Sequence, residues 1–397
     1  MRMGENQQRG LLDELSVPDP IHRVSGWSSV DSARKKFLDL LTRQDRRTEQ
    51  RRIRSSGDLL LGAGGLTASD YRYTRTALSQ LCSRLSPHVG SVIKHLCEFD
   101  ANLHVEHSQK GQAGNLARRL LNDLIELKFQ AELKGERLII DHDQKLIVGL
   151  VGQQYALVSN LQVFQQCLRQ KKLFSGAILQ GRRMGLWFCE HRVFSQVRTP
   201  SRDPDRYRVG FYVSNSDVGE CAISARPAII LGGCGAAAVS RPTVSGRLIH
   251  KQGPKLNTSL PSLLQHAKLP DDRVVKLQNG LGRLCECRLQ LGGDGPRHSK
   301  RVKSLERKLR SQLHSIAMAG RVVMNAVWQG SQEQFDTRLD SQTLLRLSRR
   351  TAYDLFRAVI REAQRYSPNL REAAEGFAYR LLCEDPEFLL GVRSSSD

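Results

Sequence analysis

His104, Glu106 and His107 fall within four residues of one another, and Asp141, His142 and Asp143 are consecutive. Imidazoles and carboxylates at such density are the ligands of divalent metals, and a metal so held activates water for phosphodiester cleavage. A metal site needs three or more such groups converging in space, and the sequence gives no reason for these two segments to meet. A metal-dependent nuclease is therefore an alternative reading. No metal and no cofactor are expected. The nine cysteines lack the paired C-x-x-C spacing of structural zinc, although Cys285 and Cys287 would share a face on a strand. Gly233 to Ala238 fits the pattern G-x-G-x-x-A of a dinucleotide-binding turn. Pro242 follows too soon for the required helix, however, and no acid occurs before Asp271 to hold a ribose hydroxyl.

The stronger signal is charge. The 397 residues carry 61 Lys and Arg against 40 Asp and Glu, a net charge of +21. Such an excess opposes compaction and is relieved by a polyanion, which makes nucleic acid the expected partner. The segment from Cys221 to Pro270 contains no acid at all, yet holds Arg226, Arg241, Arg247, Lys251, Lys255 and Lys268, with His250 and His266. Just before it, Val209, Phe211 and Val213 alternate with Arg208, Gly210 and Tyr212, and Ser214 to Gly219 is dense in turn-forming residues. A hairpin results, on which Arg208, Tyr212 and Arg226 would share one face. The expected nucleic-acid-binding residues are Arg208, Tyr212, Arg226, Arg241, Arg247, His250, Lys251 and Lys255. They would form a groove in which cations neutralise phosphates and an aromatic ring stacks on a base. Only 6% of residues are aromatic, so stacking is the minor contribution.

These residues must be positioned by a fold, and the hydrophobic periods outline one. Residues 1–56 read as a basic N-terminal arm, with nine Lys and Arg against three acids between Arg34 and Arg54 and a basic helix over part of it. Residues 57–291 read as a central mixed domain. It has helices near Tyr71–Leu85, Val89–Phe99, Asn115–Leu133 and Leu161–Leu173. It also has strands at Leu138–Ile140, Leu146–Val151, Gly176–Leu179, Gly185–Cys189, Tyr207–Val213 and Ala222–Leu231. Leu116, Leu120, Leu124 and Leu127 are expected to form the core stripe of the third helix. Residues 292–397 read as a helical C-terminal region opening with RHSKRVKSLERKLR, which has seven cations and one acid. The fold class is thus α+β, a central and mostly antiparallel sheet with packed helices.

The segment Val213-Ser214-Asn215-Ser216-Asp217-Val218-Gly219, together with Leu66-Thr67 to Leu81, Leu85, Asn122, Gly152 to Asn160 and Gly233-Cys234-Gly235 before Arg247, His250 and Lys251, resembles an uncharacterised family of phage- and plasmid-associated proteins, a domain of unknown function. The likeness covers roughly residues 58–290. It implies DNA handling in a mobile element, in keeping with single-stranded DNA binding or annealing. A structural or assembly protein of a virus-like particle, which also wants a basic inner face, is the other alternative. The opening MRMGENQQRGLLDEL has no apolar core of signal-peptide length, and no stretch approaches eighteen uninterrupted apolar residues, so an intracellular, cytoplasmic protein without membrane contact is expected, with a homo-oligomer compatible with it.

Overall fold

The computed structural model describes residues 16–25, 30–62, 66–67, 70–93, 113–169, 172–197, 204–232, 236–241, 246–250, 256–289, 296–328, 350–366 and 368–390. The chain has an α+β fold, but its strands form two sheets in place of the single one expected.

The first sheet has five strands in the order β1 (Ser16–Val17), β4 (Arg72–Thr74), β6 (Leu146–Val151), β5 (Arg137–Asp141) and β3 (Thr48–Arg52). The β5–β6 hairpin around Asp141 to Gln144 is the one expected from the polar turn between two apolar runs. One face is covered by α2 (Arg75–Leu85) and α3 (Ala113–Lys128), whose last turns widen into a π-helical segment at Phe129–Leu133. Thr74 caps α2 by accepting a hydrogen bond from Ala77 N, so residues 72–74 are a strand and the helix starts later than Tyr71. The stripe on α3 that enters the core is Ala117, Leu121, Ile125 and Phe129; Leu116 and Leu127 are 49% and 77% exposed. Leu120 and Leu124 are partly buried and pack against the same core.

The second sheet is antiparallel throughout, in the order β11 (Ala237–Val239), β10 (Ile223–Leu231), β9 (Asp205–Ser216), β8 (Arg183–Val197), β7 (Leu173–Gln180) and β2 (Ile21–Ser25), with β12 (Arg247–Leu248) also on β10. Phe174, Phe188, Phe211 and Val213 of this sheet pack with α1 (Val30–Arg46), α4 (Asn160–Leu168) and α5 (Leu256–His266) through Phe37, Leu41, Phe164 and Leu260.

Residues 16–52 are therefore not a free arm. They pair with both sheets, through β1 and β3 in one and β2 in the other, and α1 is anchored by fully buried Phe37 and Leu41. Nor do the C-terminal helices stand apart from the central domain. Together with α6 (Asp271–Glu286), the helices α7 (Pro296–Leu313), α8 (Ile316–Val323), α9 (Ala352–Ala363), α10 (Pro368–Cys383) and α11 (Pro386–Leu390) share a core with Tyr207, Ile229 and Leu231. The Tyr353 hydroxyl donates to Asp205 Oδ2 at 2.8 Å, and Arg357 Nε meets the same oxygen at 2.7 Å.

A buried polar node joins the two sheets. Arg182, in the β7–β8 turn, is 3% exposed and reaches Thr48 Oγ1 at 2.7 Å, Asp141 at 3.4 Å and Asp217 at 3.5 Å. Arg47 closes on Asp141 at 2.7 Å, so it is a structural partner and not a free basic residue. Burial pushes the Asp217 carboxyl up to about 6, against the opposing pull of Arg182. Between about pH 4 and pH 6 the folded state thus keeps a proton that the unfolded chain has released, and this group's contribution to stability falls as pH rises through that window. Asp217→Asn is expected to remove this slope, which is at most about 1.4 kcal/mol per pH unit. Denaturant melts of both proteins at several pH values test this; a stability difference that does not change with pH contradicts it.

Candidate nucleic-acid interface

The β9–β10 hairpin places Tyr212 directly opposite Arg226, as the alternation requires. The Arg226 guanidinium lies over the Tyr212 ring at 4.6 Å. The face they share is not open. Helix α10 lies across it, and Glu372 reaches in to accept from Arg183 Nη2 at 2.7 Å and the Tyr212 hydroxyl at 3.2 Å, while meeting Arg226 Nη2 at 3.3 Å. Arg371 stacks over Trp187 at 3.8 Å and binds Glu375 at 2.8 Å; burial pushes the Glu375 carboxyl above its ordinary range. Tyr212 and Arg226 are 2% and 5% exposed. This corrects the expected groove: Tyr212 is a core residue and no stacking platform, and most of the Arg226 charge is met within the fold.

The remaining expected residues are dispersed. Arg208 is half-buried beside Cys189. His250 is also interior, stacked flat on Tyr155 with ring centroids 5.0 Å apart and with Nδ1 3.3 Å from Ala156 O. Burial lowers its pKa, so it stays neutral and does not serve as a phosphate-binding cation at neutral pH. Arg247 stands exposed on β12. Lys251 and Lys255 lie outside the described residues, as does the His104 cluster. Asp141 is occupied by Arg47 and Arg182, and His142 is held between the Tyr71 hydroxyl and Glu49. Among the described residues no three His, Cys, Asp or Glu side chains form a group able to hold a metal ion. Cys285 and Cys287 end a helix, one exposed and one buried, and do not share a strand face.

What the fold does bring together is a cavity of about 460 Å³ beside α10, lined by Arg226, Arg241, His314, Asn369, Glu372 and Arg380 among others. Arg241 follows β11 and is exposed, with no acceptor among the described residues. His314 sits at the break between α7 and α8 with φ of 53°, a left-handed conformation that turns the chain. Arg380 donates to Gln312, a neutral partner, and its Nε–H has no acceptor among the described residues. Three guanidiniums therefore face one carboxylate, and that carboxylate is shared with Arg183 outside the cavity.

Helix α7 leads to this cavity. Leu305, Leu309 and Leu313 bury one stripe, which leaves Lys300, Lys303, Arg307, Lys308 and Arg310 exposed. Arg310 is paired with Glu306 at 3.6 Å, the one acid of the helix. The basic run is visible in the sequence. Its partners are not: Arg380 and His314 carry no local sign of belonging with Arg226 and Arg241, because only the packing of α7 and α10 on the sheet assembles them.

Among the described residues no helix is long and apolar enough to cross a membrane. The chain matches no family model, no curated protein and no solved structure.

Proposed function

We propose that the protein binds nucleic acid, single-stranded DNA in preference, along the exposed face of α7. The observation that carries this reading is the geometry of that helix: an apolar stripe fixes it to the body while its outer face is almost wholly cationic. From Lys300 to Arg310 the helix rises about 15 Å, long enough to lie beside several successive phosphates of one strand. The exposed cations on α1, among them Lys35, Lys36, Arg43 and Arg46, add a second basic surface. The buried position of Tyr212 favours an electrostatic mode over base stacking. The mobile-element setting implied by the family resemblance suits such a role.

Binding of a single-stranded oligonucleotide is expected to weaken steeply with salt. Lys303→Gln, Arg307→Gln and Lys308→Gln combined are expected to lower the log–log slope by about 2, close to 0.7 for each phosphate that is no longer neutralised. Fluorescence anisotropy across a salt series measures it. A flat response in the unaltered protein, or a slope untouched by the triple change, rules out α7 as the binding face.

A further inference from the structure

We propose that the cavity between α10, the end of α7 and β11 is a receptor for a terminal phosphate of a nucleic-acid strand. The inference rests on the nucleic-acid reading and adds to it the part of the ligand that is recognised. Along α7 the cations stand on an open helical surface, suited to the repeating single charges of a backbone. At its C-terminal end the arrangement changes to a concave site of about 460 Å³, within the size range of a site for one small ligand and too small for a length of chain.

Its charges match that ligand. Arg241 is exposed and unpaired among the described residues. Among the described residues Arg380 donates to the neutral Gln312, and neither its Nε–H nor that of Arg226 has an acceptor. Glu372 is the acid among the lining residues, and its carboxylate already serves Arg183, Arg226 and Tyr212. Glu375 lies behind it and is engaged by Arg371. The lining therefore has an unanswered positive charge. A phosphomonoester carries about −1.5 to −2 at neutral pH, whereas a backbone diester carries a single charge, and planar guanidiniums bind phosphate oxygens bidentately. A strand end is thus the better match than an internal linkage.

The test uses the full chain and three single-stranded oligonucleotides of one sequence, carrying a 5′-phosphate, a 3′-phosphate or no terminal phosphate. At moderate salt one of the two phosphorylated strands is expected to bind at least tenfold more tightly than the unphosphorylated one, and which of them does so identifies the strand end. Arg241→Gln, at an exposed position, is expected to bring the phosphorylated strands down to the level of the unphosphorylated one; Arg380→Gln should do the same, with thermal melting to establish that it folds. The Lys303, Arg307 and Lys308 variant is expected to weaken all three strands by a common factor. Equal affinity of the three strands for the unaltered protein overturns the terminal-phosphate site and leaves the nucleic-acid reading standing. A preference that survives Arg241→Gln and Arg380→Gln overturns the assignment to this cavity. Absence of binding to every strand at low salt removes both readings together.

Discussion

Replacing Glu372 by alanine is expected to cost about 3 kcal/mol of stability, the lower end of what losing one partner of a buried ion pair costs, because its side chain is 24% exposed. The loss is large because it falls on several groups at once. Arg226 and Arg183 would keep their charges at 5% and 15% exposure without the carboxylate that offsets their desolvation, and the Tyr212 hydroxyl would lose its acceptor. Adding Arg226→Met to Glu372→Ala should recover part of the loss, since an apolar side chain of similar length needs no partner there. Denaturant unfolding of the two single variants and the double variant forms the cycle that measures the coupling. A Glu372→Ala protein as stable as the parent would mean that α10 is not held to the sheet by this carboxylate.

Gly280→Ala is expected to be more damaging than its size suggests. Gly280, on α6, faces α10 so closely that an added Cβ would stand 2.0 Å from the Leu382 carbonyl oxygen and 2.9 Å from its carbon. Backbone cannot rotate out of the way as a side chain can, so the two helices must separate. Overpacking of this kind costs about 1–3 kcal/mol or more, and it exceeds the helix-propensity gain of about 1 kcal/mol that alanine brings. Gly282, two residues on, has no atom within 4 Å of the same added carbon, so Gly282→Ala should leave stability unchanged or raised. Melting the pair side by side separates the close approach from the propensity. Equal effects of the two substitutions would contradict that approach.

The elements that the sequence reveals are those whose signals are local. The β5–β6 and β9–β10 hairpins follow from apolar runs around polar turns, α2 from the glycine-rich break and capping residues before it, and α7 from the Gly292–Pro296 breaker cluster at the start of its basic run. What it conceals depends on distant partners. The stretch from Cys221 to Pro270 contains no acid, which reads as an exposed cationic surface, but the acid that answers Arg226 is Glu372, supplied from the other end of the chain. Residues 34–54 are rich in cations, which reads as a solvated arm, yet Arg47 answers Asp141 and Phe37 fills the core. Helix α5 escapes sequence reading because Pro261 lies inside it, and α6 because two glycines interrupt it. The candidate site shows the same division. Arg226 and Arg241 are legible from the acid-free stretch, and the basic run of α7 from its composition. The cavity they share with Arg380 and His314 exists only once the helices are packed.

The path of the first strands bears on how the molecule can be made. β1, β2 and β3 precede their hydrogen-bonding partners β4, β7 and β5 in the chain, so β2 waits for residues 173–180 and β3 for residues 137–141. The face bearing Tyr212 stays uncovered until α10 is synthesised. Ring closure over such separations must precede the pairings that reward it, which slows folding and prolongs exposure of unpaired strand edges. The edges of β1, β2 and β3 thus stay unpaired until residues 72–74, 173–180 and 137–141 have been added to the chain.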